Sequence, residues 1–148
     1  MELDEMDDTT LVLERFYSSS AERMFKAWTD PDDLRKWYSP VPGWVVSKAE
    51  VDLQLGGGYR IEFGPSGGPQ VVEIGTYEQI TPSRLLVVEI RIEGRSADEL
   101  TRLKVEFEST AGGTMIRITE SDYTNKKARD MHAEGWAHCL DLLEMLAG

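Results

Sequence analysis

A helical stripe that follows a run of strands sets the strongest limit on how this chain folds. Between Asn125 and Leu146, apolar or small residues fall at 128, 131, 135, 139, 142 and 146, with Trp136, Leu140 and Leu143 widening the band. The period is close to 3.6, which predicts one long helix with a broad buried face. A lone helix must bury such a face against something apolar, and the preceding sheet is the only candidate. Gly135 and Ala137 flank bulky Trp136, so that contact need not fill completely. A pocket between helix and sheet is therefore the central expectation.

Upstream, Leu11 to Tyr17 reads as a first strand from its β-branched and aromatic content. Ser19 and Glu22 have the spacing of a capping box, which predicts a helix from Ala21 to about Thr29. Asp30-Pro31 restarts the chain as cap and first helical residue, giving a short second helix from Asp32 to Trp37. From Trp44 the period becomes two. Strands are expected over Trp44–Asp52, Tyr59–Phe63, Gln70–Ile80, Leu85–Glu93, Leu100–Glu108 and Thr114–Thr119. Their short links favour antiparallel neighbours. The fold class is α+β: a curved antiparallel sheet of about seven strands around a long C-terminal helix, with two short helices after strand one. Residues 9–148 read as a single domain, and residues 1–8 as a disordered acidic tail.

The charge balance narrows the partners. The chain has 16 basic and 27 acidic residues, a net charge of −11. Such a field repels phosphate backbones and anionic lipid heads, so neither nucleic acid nor a membrane surface is an expected partner. No apolar stretch is long enough to span a bilayer. The first eight residues hold five acids and no base, the opposite of a secretory leader. Cys139 is the single cysteine, which fits a reducing compartment, and a cytoplasmic location is expected. Cys139 lies on the helical stripe and reads as a small buried hydrophobe rather than a nucleophile.

Several motifs that carry chemistry elsewhere lack their context here. Gly56-Gly57-Gly58 has no Gly-Lys-Ser/Thr ending and no long helix behind it, so it reads as a tight bend. His132 and His138 are the only histidines. Six helical residues turn them about 240° apart, so they cannot share a metal, and no metal or cofactor is expected. No Gly-x-Ser-x-Gly elbow occurs. Of the strand carboxylates, Glu62 and Glu106 alternate with apolar residues and face out. Glu73 likewise faces away from its neighbours Val72 and Ile74, yet it shares its side of the strand with Gly75 and Tyr77, which leaves an inward orientation open. An inward carboxylate in an apolar cavity would have a raised pKa.

Local patterns over nearly the whole chain support one resemblance. They are Ala27-Trp28-Thr29-Asp30-Pro31 with Trp37-Tyr38-Ser39-Pro40, Asp52 followed by Gly56-Gly57-Gly58-Tyr59, Gly75-Thr76-Tyr77, Thr81-Pro82-Ser83-Arg84-Leu85, Gly113-Thr114, and His132 with Gly135-Trp136. In this order they resemble the START-like, helix-grip superfamily, also called SRPBCC. The closest resemblance is to the branch named after the C-terminal domain of the activator of the heat-shock-protein-ninety ATPase. The resemblance implies a curved sheet gripping the C-terminal helix with a cavity between them. Two positions depart from it: Gln54 stands where an Arg is common, and Tyr38 where a second Trp is usual.

Fold alone does not fix function. The first reading is a non-catalytic protein that binds a small apolar or aromatic molecule, entering between the Trp37–Tyr38 loop and the last helix. Its candidate ligand-binding residues are Trp37, Tyr38, Trp44, Tyr59, Phe63, Tyr77, His132 and Trp136, with the tyrosines or His132 orienting the ligand. The second is a cyclase- or hydrolase-like enzyme using a pocket carboxylate or His132. The third, which the resemblance invites, is a co-chaperone-like module with a chaperone partner.

Overall fold

A computed structural model describes residues 8–96 and 99–147. The expected acidic tail lies, apart from Asp8, outside the described residues. The chain forms β1 (Leu11–Tyr17), α1 (Ala21–Thr29), α2 (Pro31–Trp37), β2 (Val45–Val51), β3 (Gly58–Gly64), β4 (Val71–Thr81), β5 (Leu85–Ile92), β6 (Thr101–Thr110), β7 (Gly113–Ser121) and α3 (Lys126–Ala147).

The seven strands make one antiparallel sheet in the order β1-β7-β6-β5-β4-β3-β2, curled into a half-barrel. Strands β2 to β7 follow one another as a meander, which their short links dictate. β1 adds beyond β7, so the chain must travel from one edge of the sheet to the other before β2, and α1 and α2 make that crossing. Register shifts between Tyr77 and Gln79 in β4 and between Val46 and Lys48 in β2 mark bulges. Bulges increase local twist and help such a sheet curl. Helix α3 lies in the concave face, which is the helix-grip arrangement.

The short helices begin as their residue types require, with one change. Asp30 caps α2, accepting from the Asp33 amide at 3.1 Å, and Pro31 is the first helical residue. At α1 the cap is Ser20, whose hydroxyl accepts from the Arg23 amide at 3.1 Å. The expected Ser19–Glu22 box does not form, because Ser19 turns away and donates to the Ala147 carbonyl at the end of α3. That bond satisfies a carbonyl the helix terminus would otherwise leave without a partner.

The C-terminal half of α3 is held by more than this. The Tyr17 hydroxyl donates to the Leu140 carbonyl at 2.9 Å, and Arg15 pairs with Asp141 at 2.5 Å. Its buried side chains are Trp136, Cys139, Leu140, Leu143 and Ala147. Met131, expected on the buried stripe, is 63% exposed. The reason is positional: the N-terminal half of the helix spans a hollow instead of resting on the sheet, so Met131 overhangs an opening.

Aromatic rings fill the other end of the core. Trp28 meets Trp37 edge-on at 4.6 Å and stacks near Trp136 at 6.2 Å. Trp37 is fully buried, and its indole N–H donates to the Ala27 carbonyl at 2.8 Å. Burying a ring of that size is among the largest single apolar contributions in a domain of this length.

Candidate functional site

The site grows from alternation along β4. Glu73, Gly75 and Tyr77 occupy one side of the strand and all three are buried. Glu73 sits opposite Ile61 of β3 and Ile92 of β5, so its carboxylate projects from an apolar stretch of sheet. It is 8% exposed. Two phenols meet one of its oxygens: Tyr38 donates to Oε2 at 2.6 Å and Tyr59 to the same atom at 2.7 Å. Tyr59 reaches it because Gly75 has no side chain; a Cβ there would run into the Tyr59 ring.

Burial sets the electrostatics of this cluster. Desolvation, with a smaller contribution from the charge of Glu120, pushes the Glu73 carboxyl up to about 7 against the pull of the two tyrosine hydrogen bonds. The Tyr38 and Tyr59 hydroxyls are held well above their ordinary value, first by burial and then by Glu73. They therefore stay protonated and donate.

A second buried carboxylate closes the far side. Glu120, near the end of β7, accepts from Tyr123 at 2.5 Å and from the Trp136 indole at 2.8 Å on Oε1, and from Thr101 at 2.6 Å on Oε2. Its bond to Trp136 fixes the ring that begins the buried part of α3.

Between these groups lies a cavity of about 640 Å³. Tyr38, Trp44, Phe63, Ile90, Trp136 and Cys139 give it apolar walls, and Glu73 and Glu120 are its buried carboxylates. The Trp44 and Phe63 rings lie 6.2 Å apart, and Tyr38 meets Trp136 edge-on at 5.8 Å. At the opening stand Val41, Pro42, Met131 and His132.

The segment from Tyr38 to Trp44 forms one lip of that opening. Ser39 ties it together, donating from its hydroxyl to the Trp44 carbonyl at 3.0 Å. It rests on α3 at several points, Ser39 and Pro40 among them. The Ser39 carbonyl accepts from His138 Nδ1 at 2.7 Å, which places the ring proton on that nitrogen. Pro40 lies over Gly135, where a Cβ would come within 3.0 Å of the Pro40 Cβ.

Of the eight candidate ligand residues, Tyr38, Trp44, Phe63, His132 and Trp136 line the cavity. Trp37 lies in the core. Tyr59 and Tyr77 border a separate void of about 10 Å³ behind Tyr38, room for about one water. His132 is exposed and rests against the Tyr123 ring, centroids 4.9 Å apart. Gln54, in the position where the resemblance has Arg, donates through its amide to both oxygens of Asp52 at 2.9 Å.

The lining residues outside the candidate set include Glu120, His138 and Cys139. Glu120 was within reach of the alternation rule, since Ile116 and Ile118 share its face. His138 had no local signal, because its partner is the distant Ser39 carbonyl. Cys139 is buried as expected, and its thiol is pushed up by burial and by the nearby Glu73 charge. That is the wrong direction for a nucleophile. Among the described residues, no group of three or more His, Cys, Asp or Glu side chains is arranged to hold a metal ion. No helix among them is long and apolar enough to cross a membrane.

Solved structures share this architecture from end to end. A crystal structure of a protein from Chromobacterium violaceum is 26% identical, covers 93% of this chain and 96% of its own, and superposes with a TM-score of 0.82. One from Nitrosomonas europaea is 23% identical over 94% of each chain, with a TM-score of 0.80. The solution structure of an AHSA1-like protein from Aeromonas hydrophila is 20% identical over 93% of each chain, with a TM-score of 0.77. No curated relative matches the chain. The family model described as Activator of Hsp90 ATPase homolog 1-like protein matches residues 18–148. The helix gripped by a curled sheet thus has its counterpart in the sequence itself, and the chain belongs to the activator of Hsp90 ATPase homolog 1-like family.

Proposed function

We propose that this protein binds a small, mainly apolar molecule in the cavity between the curled sheet and the N-terminal half of α3, with no chemical step required. The observation that carries the reading is the cavity itself. Its volume, about 640 Å³, falls within the range of small-molecule sites, and aromatic and aliphatic walls with a few polar points are what such sites use. Apolar contact supplies most of the affinity, and Tyr38, Trp44, Phe63, Trp136 and His132 make the contacts. The single buried cysteine suits a reducing compartment, so we place the protein in the cytoplasm.

The test uses 2-naphthylmethanol, a neutral aromatic probe. Its binding should quench or shift tryptophan fluorescence and raise the melting temperature as its concentration increases. Ala128→Trp, which fills the cavity from its helical wall, should abolish both effects. Failure of this probe and of a wider set of neutral aromatics to shift either signal would remove the proposal.

The family's description supports a second reading, a module that acts on a chaperone ATPase. It predicts that the purified protein stimulates Hsp90 ATP hydrolysis and that filling the cavity with Ala128→Trp leaves the stimulation intact.

A further inference from the structure

The two oxygens of Glu73 are used unequally. Oε2 accepts from both Tyr38 and Tyr59. Among the described residues no donor reaches Oε1. The side chain is more than nine-tenths buried and lines the cavity. A buried acceptor left without a partner costs free energy, and native structures rarely carry one without a reason. Glu120, on the same cavity, is different: three donors already occupy it. The open valence therefore belongs to Glu73.

The charges around it have one dominant sign. Besides Glu73 and Glu120, the lining includes Glu99, Asp122 and Glu134. Among the described residues Arg95 is the one Lys or Arg side chain on the lining, joined by His132 and His138. His138 is engaged with the Ser39 carbonyl. Tyr38 and Tyr59, which bond Glu73, and Cys139 on the same cavity wall are all held protonated and uncharged. No basic side chain of the described residues is bonded to Glu73 or Glu120. Tyr38, which holds Glu73 from the loop, is also where this chain departs from the tryptophan of the family pattern.

We propose that the ligand is an apolar molecule bearing an amine, whose ammonium N–H donates to the free Oε1 of Glu73 inside this acidic cavity. The inference rests on the ligand-binding reading above and names the ligand's polar end. Anionic lipids and fatty acids are disfavoured by the same charges.

Three probes of nearly equal shape separate the two ideas: 2-naphthylmethylamine, 2-naphthylmethanol and 2-naphthoate. Their affinities for the full chain are measured by calorimetry at pH 8, where the Glu73 carboxyl is mainly ionised and the amine is mainly protonated. The amine is expected to bind about tenfold or more tightly than the alcohol, the scale of one charge-assisted hydrogen bond, and the carboxylate most weakly. Glu73→Gln, which keeps an acceptor for the two tyrosines, should bring the amine to within about threefold of the alcohol. Equal binding of amine and alcohol, or tightest binding of the naphthoate, would overturn the amine assignment and leave the apolar pocket standing. An amine preference that persists in a folded Glu73→Gln protein would also overturn it. If none of the three binds to the wild-type chain, the pocket reading and this one fall together. The wild-type comparison decides the matter even if the variant does not fold.

Discussion

The hydroxyl of Tyr38, at the end of α2, donates to Glu73 on β4 at 2.6 Å, across 35 residues of chain. One hydrogen bond thus joins the lip of the cavity to the sheet that floors it. The bond couples two properties usually considered separately, the position of the loop and the charge of the floor.

Stability should fall as pH rises, and Glu73 should be a cause. Its carboxyl is raised from 4.5 to about 7 in the folded chain. Between those values the native state keeps a proton that the unfolded state has already released. The associated stability is present below about pH 4.5 and is lost as pH climbs through 7, by an amount on the order of 3 kcal/mol. Urea unfolding of wild type and Glu73→Gln at pH 5 and pH 8 checks this. The variant should gain on wild type at pH 8. Parallel pH profiles would show that Glu73 is not raised.

Gly75→Ala should displace Tyr59. The new methyl meets the ring directly, so the phenol must withdraw from Glu73 or the strands must part. Overpacking of this kind costs about 1–3 kcal/mol. A thermal unfolding curve that matches wild type would refute the claimed contact.

Trp37 and Trp44 should respond in opposite ways. Trp37 is fully buried and hydrogen-bonded, so Trp37→Ala should cost about 3–5 kcal/mol of stability. Trp44 is half-buried on the cavity wall, so Trp44→Ala should cost roughly 1 kcal/mol and weaken binding of 2-naphthylmethanol instead. Chemical denaturation and probe titration on both variants separate the two roles; equal losses of stability would contradict them.

Removing the His138 ring should loosen the lip without unfolding the domain. Its hydrogen bond to the Ser39 carbonyl is one of the supports that α3 gives this loop. In His138→Ala, the Trp44 amide, which bonds the Val41 carbonyl at 3.0 Å, should exchange with solvent faster. Global stability should drop by only about 1 kcal/mol. Unchanged exchange at Trp44 would mean that the other contacts with α3, Pro40 on Gly135 among them, hold the loop without it.

Periodicity made most of the architecture readable before any coordinates. The change from period two to 3.6 gave seven strands and the terminal helix with ends displaced by a residue or two. For Glu73 the alternation left two orientations open, away from Val72 and Ile74 to the outside or inward with Gly75 and Tyr77, and the strand takes the inward one. The failures share a cause: they depend on what meets a residue from far along the chain. Ser19 has the spacing of a cap, but the end of α3 claims its hydroxyl, and Ser20 takes the role. Trp37 and Tyr38 are adjacent in a loop-like context, yet one enters the core and the other the cavity wall. Met131 fits the helical stripe, and only the hollow beneath it explains its exposure. Glu120 alternates legibly with Ile116 and Ile118, but its three donors come from β6, α3 and the link before α3.

Helix α3 is fastened chiefly along its C-terminal half, and this makes it a cantilever. Tyr17, Ser19 and Arg15 anchor the far half, so the overhanging turns around Ala128 and Met131 can be re-sculpted with little penalty to the rest. On the proposed ligand-binding function, a scaffold built this way separates the residues that keep it folded from those that would choose a guest, so that chains of this build could differ in cargo while keeping one architecture.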